Sequence, residues 1–302
     1  MELIRGLHNL GKRHRGCVVT IGTYDGIHLG HQALIRRLAR PAMLLTFEPM
    51  PREFLTPDHP PARLTSLRER WRILQAMDLD YLLLLRFDER LRGLTGEAFA
   101  QLLSRDLHAA SVVVGHDFKF GRGGEATAAS LQESGRRLGF KVEVVPPVQV
   151  QGERVSSSGI REALAQGDFA RTRRGLGRPY SMRGRVVRGE RLGHRLGYPT
   201  ANLQLHRRRS PLQGIFAVRV RGAAATVLPG VASLGTRPTV DGTEPLLEAH
   251  IFDFSGDLYG HEIEVEFVAK LRDERHFASL DELVQQMHRD AAQARQLLNN
   301  RE

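Results

Sequence analysis

The periodicity of the chain changes once, near Tyr180, and this change constrains the fold more than any other feature of the sequence. Before it, short apolar runs alternate with amphipathic helical stretches, which is typical of a mostly parallel sheet covered by helices on both faces. After it, strand-like segments follow one another with only glycine, proline or charged turns between them, which predicts a small antiparallel barrel. The 302 residues are enough for both folds as separate domains.

The elements of the first part follow from apolar runs and helix caps. Ser66 with Glu69 three residues later is a capping box and predicts the start of a helix. The predicted strands cover residues 17–21, 42–47, 81–85, 111–114 and 142–145, and further helices cover 96–107 and 126–138.

The second part has the period of strands with one buried face. Ile263, Val265 and Phe267 alternate with glutamates, for example. Strands are predicted over 181–189, 214–222, 230–235, 246–254 and 262–271, and a last helix begins at Ser279 with Glu282 as its capping partner. We therefore expect a Rossmann-like α/β domain over residues 1–182, followed by an antiparallel β-barrel domain over 183–302 that ends in a helix.

Composition narrows the setting. The single cysteine, Cys17, allows no intrachain disulfide and favours a reducing compartment. No run of about 18 apolar residues is present and the N-terminus lacks a signal pattern, so we expect a cytoplasmic protein without a membrane partner.

The net charge of +10 raises the question of a nucleic-acid partner. All but four of the 44 basic residues are arginines, and they are spread from Arg5 to Arg301. There is no aromatic-interleaved patch, recognition helix or Cys/His finger, so we expect no nucleic-acid partner. The arginines solvate the surface, or some of them clamp phosphates, and the charge alone does not choose between these two interpretations.

A turn rich in glycine and histidine, residues 22–31, joins the first predicted strand to a helix. A phosphate bound there gains from free backbone N–H groups and from the helix dipole. Gly22, Gly26 and Gly30 let the backbone approach a ligand closely. His28 and His31 are three residues apart and project to the same side of a helix entry.

Three interpretations compete for the two histidines. Two surface histidines by chance would leave the glycines unexplained, and a metal pair lacks a nearby cysteine or carboxylate at zinc-like spacing. Contact with ATP phosphates explains the histidines, the glycines and the location together, so we favour it.

The form His-x-Gly-His at this place resembles the nucleotidylyltransferase superfamily. The longer segment 22–32 resembles bacterial bifunctional riboflavin kinase/FAD synthetases, and three further segments agree with that family. These are 46–52, where Met50 replaces a usual histidine, 115–121, and 155–161.

The resemblance implies attack by the FMN phosphate on the α-phosphorus of ATP, which yields FAD and pyrophosphate. His28 and His31 would contact the phosphates, and Arg161 with Ser157 the departing pyrophosphate. Arg161 lies in the expected first turn of a helix, where the dipole disfavours a cation without an anionic partner. Further nucleotide contacts are expected from Gly22, Thr23, Tyr24, Asp25, Gly26, Gly30, Asp117 and Ser156.

The loop 189–203 combines glycines and arginines with a rigid proline turn. It is either a basic surface hairpin or a phosphate loop followed by hard oxygen ligands. It resembles the flavokinase signature that ends in Pro-Thr-Ala-Asn, which implies a nucleotide site. That site would comprise Arg191, Gly193, Arg195, Gly197, Pro199 and Asn202, with Thr200 and Asn202 as ligands of Mg²⁺.

Glu248 has apolar neighbours on its own face of a predicted strand. Such a carboxylate belongs to a partly buried salt bridge or acts as an acid or base. The family resemblance implies that it is the base for the ribityl 5′-hydroxyl of riboflavin.

We therefore expect a monomeric or weakly self-associating enzyme with two reactions, riboflavin plus ATP to FMN and FMN plus ATP to FAD. An adenylyltransferase for another phosphorylated acceptor is the nearest alternative, and a flavin- or RNA-binding regulator is a more distant one.

Overall fold

The structure is a computed structural model, and it describes residues 1–189, 193, 196–239 and 242–299. Its contacts divide the chain into two compact units. The first comprises Met1–Pro61 and Arg70–Ser156, and the second Ala62–Glu69 and the chain from Ser157 onward. The domain boundary expected at residues 182/183 stays a prediction.

The first unit contains a six-stranded parallel sheet in the order β1-β4-β3-β2-β5-β8. Neighbouring residues of one strand enter different clusters: Met43 and Leu45 pack on one face, Ala42 and Leu44 on the other. The sheet is thus buried on both faces, as predicted. Its strands are β1 (Glu2–Arg5), β2 (Val18–Ile21), β3 (Ala42–Glu48), β4 (Tyr81–Arg86), β5 (Ser111–Gly115) and β8 (Lys141–Val145); β6 (Lys119–Phe120) pairs with β7 (Ala126–Thr127), and β9 (Gln149–Val150) with β10 (Glu153–Arg154).

The helices up to residue 138 are α1 (Leu29–Ile35), α2 (Pro51–Leu55), α3 (Leu67–Gln75), α4 (Glu89–Arg92), α5 (Gly96–Gln101) and α6 (Ala128–Leu138). The capping box at α3 is confirmed: Glu69 N–H donates to Ser66 Oγ, and Ser66 N–H to Glu69 Oε2 at 2.6 Å. The division between the two units falls inside α3.

Two predicted helices differ in detail. The helix expected over 96–107 is α-helical only to Gln101 and continues as a π-helical stretch, Leu102–Asp106. The helix expected from residue 126 begins at Ala128, because Ala126 and Thr127 pair with β6 and the Thr127 side chain caps the helix.

The second unit is built on a closed six-stranded barrel in the order β11-β12-β15-β14-β13-β16, in which β16 also pairs with β11. All these pairs are antiparallel, as predicted. The strands are β11 (Ser181–Val187), β12 (Ala201–Gln204), β13 (Gly214–Arg221), β14 (Leu228–Thr239), β15 (Gly242–Ile251) and β16 (Glu262–Arg272).

Strand β12 is not predicted by the sequence, which indicates a turn at the end of loop 189–203, and this expectation is wrong. Proline disfavours a strand, but Pro199 lies two residues before β12 and leaves its ladder intact.

Three helices belong to the second unit: α7 (Ser157–Ala165), α8 (Phe169–Leu176) and α9 (Leu280–Asn299). Phe169 of α8 packs against the barrel residues Phe216 and Phe267. Helix α9 packs Ala294 and Leu298 into a cluster with Ala217 and Val268 on the strands.

The cap of α9 is confirmed only in part. Glu282 N–H donates to Ser279 Oγ, but the Glu282 carboxylate accepts from Ala278 N–H instead of Ser279 N–H. Among the described helices, none is long and apolar enough to cross a membrane.

Candidate active sites

The glycine–histidine turn lies at the carboxyl end of β2, which stands between β3 and β5 in the sheet. Three of its residues have positive φ: Tyr24 at 50°, Gly26 at 83° and Ile27 at 43°. Glycine adopts this conformation without cost, but a β-branched isoleucine does not. Tyr24 and Ile27 are both buried, so packing holds this strained turn, as is common at ligand-binding sites.

His28 is the N-cap of α1, and its Nδ1 accepts a hydrogen bond from His31 N–H at 3.3 Å. A neutral ring that accepts at Nδ1 carries its proton on Nε2. The cap therefore orients His28 so that Nε2 is a hydrogen-bond donor. A Cβ on Gly30 would lie 3.0 Å from the His28 ring, which shows how closely the first turn of α1 packs on it.

The His31 ring stacks on His28 with centroids 3.6 Å apart and lies 4.8 Å from the Tyr24 ring. Burial holds the pKa of His31 well below its usual value, and its electrostatic interactions with His28 and with the charge of Arg70 lower it further. Among the described residues, its Nδ1 is one of the buried side-chain atoms without a hydrogen-bond partner. A buried polar atom of this kind calls for an explanation, and a bound ligand would supply one.

Tyr24 connects the turn to the sheet. Its hydroxyl shares a hydrogen bond with Thr20 Oγ1, which donates to the Val113 carbonyl at 2.8 Å. Burial raises the pKa of Tyr24 far above its ordinary value, so the phenol stays neutral. Asp25 is also buried.

Asp117 follows β5, at the same edge of the sheet as the turn, because β5 is parallel to β2. It is exposed and forms an ion pair with Arg154. Partial burial would raise the pKa of Asp117, but the hydrogen bond and charge of Arg154 outweigh this and lower it. Asp117 therefore carries a full negative charge at neutral pH.

Met50, which replaces the family's usual histidine, is 2% exposed and caps α2. Its N–H donates to Glu53 Oε2 at 3.0 Å. The side chain at this position is thus packed into protein rather than presented to solvent.

The division between the two units falls inside segment 155–161. Val155 and Ser156 belong to the first unit, and Val155 O would lie 3.7 Å from a Cβ on Gly30. Ser157 begins α7 in the second unit, where Arg161 Nε donates to the Ala62 carbonyl at 2.6 Å. Arg161 is the fifth residue of α7, not in its first turn as expected, so the dipole argument for an anionic partner is weak there.

The barrel brings Asn202 and Glu248 together. They are paired in register between β12 and β15, and Glu248 is paired with Ser233 on its other side. Paired residues share a face of the sheet. Leu247, Ala249 and Ile251 are buried, whereas Glu248 is half-buried, so the predicted alternation is confirmed and Glu248 faces outward from the barrel.

The backbone at Gly189 closes over Asn202, whose side chain is 7% exposed. A Cβ placed on Gly189 would lie 2.6 Å from the atoms of the Asn202 amide, so no other residue fits there without a shift. Thr200, half-buried, is two residues before Asn202 and directly precedes β12.

Before Thr200, Leu196 N–H and Tyr198 N–H both donate to the Gly193 carbonyl, and Gly197 has a φ of 82°. The Pro199 carbonyl lies 2.9 Å from His250 Nδ1. Arg191 and Arg195, which the sequence assigns to this nucleotide site, lie outside the described residues.

Oxygen atoms dominate this second site. No group of three or more His, Cys, Asp or Glu side chains that could hold a metal occurs within the described part of the chain. The hydroxyl of Thr200 and the amide oxygen of Asn202 are hard ligands of the type that Mg²⁺ prefers, and Glu248 is the register partner of Asn202 on the next strand.

Two family models match the chain in succession: an FAD synthetase model over residues 10–159 and a riboflavin kinase model over 176–298. The bifunctional riboflavin kinase/FMN adenylyltransferase of Escherichia coli K12 is 45% identical over 98% of this chain and 97% of its own. The protein of that name from Haemophilus influenzae is 41% identical over 99% and 100%. The chain belongs to this bifunctional family.

A solved structure supports the fold of this family member along its whole length. A protein named macrolide-efflux protein from Streptococcus pneumoniae aligns with a TM-score of 0.81 and 33% identity, over 96% of this chain and 97% of its own. The two family models and the full-length relatives, rather than that name, decide the family of this chain.

One buried side chain at this turn was not predicted from the sequence of this family member. Arg70 of α3 is 1% exposed and donates to the Thr23 carbonyl in the glycine–histidine turn. The signal was present, because Arg70 lies four residues before the buried Leu74 and so on the apolar face of the helix. The exposed Arg68 and Arg72 lie two residues away on either side, so in the sequence Arg70 resembles another solvated arginine.

Proposed function

We propose that this chain catalyses both reactions named for its relatives: phosphorylation of riboflavin to FMN and adenylylation of FMN to FAD. The full-length identity to bifunctional relatives supports the pair of reactions. The observation that carries the adenylylation site is the capped His28 with its Nε2 donor beside the partnerless Nδ1 of His31.

In the adenylyl transfer, an oxygen of the FMN phosphate attacks the α-phosphorus of ATP, and the bond to the β-phosphate oxygen breaks to release pyrophosphate. No covalent step is required of the protein, so catalysis consists of positioning and charge stabilisation. We assign His28 and His31 to the phosphates, with the turn backbone from Gly22 to Gly26, Gly30, Asp117 and Ser156 around the nucleotide. Arg161 and Ser157 remain our proposed contacts of the departing pyrophosphate.

In the phosphoryl transfer, the 5′-oxygen of the ribityl chain attacks the γ-phosphorus of ATP, and the bond from that phosphorus to ADP breaks. Glu248 accepts the proton that the 5′-hydroxyl loses. Thr200 and Asn202 fit a Mg²⁺ ion, which when bound would neutralise charge on the phosphates. Gly193, Gly197 and Pro199 shape the adjoining nucleotide loop, to which we also assign Arg191 and Arg195.

The remaining proposals follow from the same sequence features. We assign adenylylation to residues 1–182 and phosphorylation to 183–302. We expect a cytoplasmic monomer or weak homo-oligomer whose partners are small molecules rather than nucleic acid or membrane.

Product analysis of the purified chain with Mg·ATP tests the proposal. Riboflavin should yield FMN and then FAD, and absence of either product would refute that half. His28→Ala should lower the rate of FAD formation from FMN by about 100-fold or more, which is the effect of losing one hydrogen-bond donor to the transition state. It should leave FMN formation intact.

Two matched variants separate the contributions. His28→Asn retains a good N-cap but lacks the Nε2 donor, so it should keep the stability and still lose FAD formation. Glu248→Gln should lose FMN formation and keep FAD formation from supplied FMN. A Glu248→Gln chain that fails to make FAD from FMN would contradict this assignment.

A further inference from the structure

The guanidinium of Arg70 joins three chain segments of the first unit. Its NH1 donates to the Thr23 carbonyl at 2.8 Å and to Thr46 Oγ1 at 3.4 Å, and its NH2 donates to Glu48 Oε2 at 3.0 Å. Thr46 Oγ1 donates in turn to the same Thr23 carbonyl at 3.3 Å. Helix α3, the end of β3 and the glycine–histidine turn therefore meet at one side chain.

The hydrogen bonds to the Thr23 carbonyl hold the backbone at the start of the glycine–histidine turn. Thr23 stands between Gly22 and the strained Tyr24, where the chain leaves β2 and has not yet entered α1. Because the C=O and N–H of one planar peptide unit point in opposite directions, the direction of the Thr23 carbonyl also sets that of the Tyr24 N–H. A cationic fork on the Thr23 carbonyl, reinforced by a threonine hydroxyl, fixes that orientation, since charge-assisted hydrogen bonds are stronger than neutral ones.

The charge of Arg70 is also felt inside the site. Arg70 is 1% exposed, and its carboxylate partner Glu48 is 30% exposed. Removing a guanidinium from water is costly unless its charge is paired, and Glu48 supplies an anionic partner. The positive charge of Arg70 also lowers the pKa of His31, behind burial and the interaction with His28, so its field reaches the stacked histidines.

We propose that Arg70 is a positioning residue for adenylyl transfer, which holds the Thr23 carbonyl and places a buried positive charge behind the triphosphate site. Arg70 acts through the turn and does not itself contact substrate. The proposal rests on the proposed role of the turn in FAD formation.

Three variants of the full chain test the proposal. Arg70→Met keeps about the volume of the side chain and removes its charge, whereas Arg70→Lys keeps the charge and loses the forked guanidinium. Arg68→Met changes an exposed arginine of the same helix and is the matched control. Each is assayed for FAD from FMN and for FMN from riboflavin. The Michaelis constant for ATP and kcat are separated, and the unfolding temperature is recorded.

We expect Arg70→Met to lower kcat for FAD formation by about 100-fold, the scale of a misplaced reacting group. The KM for ATP should change far less, and FMN formation should stay at the wild-type level. Arg70→Lys should recover part of kcat, and Arg68→Met should match the wild type.

A purely structural role predicts a different result: a lower unfolding temperature, with wild-type kcat for FAD formation in the folded fraction. That result would overturn the proposal. If Arg70→Met does not fold, Arg70→Lys decides, because wild-type kcat in that variant would equally overturn it. A wild-type chain that makes no FAD from FMN and ATP would refute the proposed function instead, so the two failures are distinguishable.

Discussion

At the scale of single residues, the two histidines of the turn are chemically unlike each other despite their stacked rings. His28 has its tautomer set by the cap of α1, so it presents a donor. His31 is held neutral by burial, by its neighbour and by the buried Arg70. A neutral ring next to an anionic phosphate stabilises by hydrogen bonding rather than by charge, so its protonation would change the site.

The pKa of His31 leads to a prediction about stability. In the unfolded chain the ring has a pKa near 6.5, and in the folded chain it lies well below that value. As the pH falls below 6.5, His31 is therefore protonated in the unfolded chain before it is protonated in the folded chain. The stability that the neutral, buried His31 gives the folded state is complete above that pH and is lost as the pH falls towards the folded-state pKa.

Thermal unfolding at about pH 7.5 and about pH 5.5 measures this loss, because histidine titrates between them. We expect a smaller drop in melting temperature on acidification for His31→Gln than for the wild type. Equal drops in His31→Gln and the wild type would contradict the lowered pKa.

At the scale of elements, periodicity and caps predicted most of the framework because they are local signals. The capping box of α3 and the alternation of β15 are encoded within a few residues. The strand β12 was missed because one of its neighbours in the barrel, β15, comes from a distant part of the sequence. Glycine and proline before it indicated only a turn, so the pairing of Asn202 with Glu248 was not predictable from either segment alone.

Gly189 gives a test of that pairing. Alanine there would place a Cβ 2.6 Å from the Asn202 amide and displace either the loop or the amide. We expect Gly189→Ala to lower FMN formation from riboflavin by about 10-fold or more, because small displacements of positioned groups are costly. FAD formation from FMN should be unchanged.

Gly11→Ala is the matched control, because a Cβ on Gly11 would meet nothing within 4 Å. It should leave both reactions at wild-type rates. Normal FMN formation by Gly189→Ala would show that the close approach at Asn202 has no part in the kinase site.

At the scale of the whole molecule, the compact units do not follow the order of the sequence. The segment Ala62–Glu69 belongs to the second unit, where the buried Arg207 binds the Glu69 carboxylate and donates to the Arg63 and Leu64 carbonyls. Arg207 is one of the arginines for which the sequence leaves a solvated surface and a phosphate clamp open. Only tertiary contacts over more than a hundred residues reveal it as a buried ion-pair partner.

The two sites belong to different units, with the glycine–histidine turn in the first and the Asn202–Glu248 pair in the second. If each site works independently, FMN made by one molecule can be used by another through solution. A mixture of His28→Asn, which makes FMN only, and Glu248→Gln, which makes FAD only, should then convert riboflavin to FAD. FAD should appear after a lag while FMN accumulates, and the lag should shorten as the His28→Asn chain is added in excess. Either variant alone should make no FAD from riboflavin.

The mixture could instead accumulate FMN without forming FAD, although the Glu248→Gln chain converts supplied FMN. That result would mean that FMN made at the barrel is not released in a form that the other chain can use.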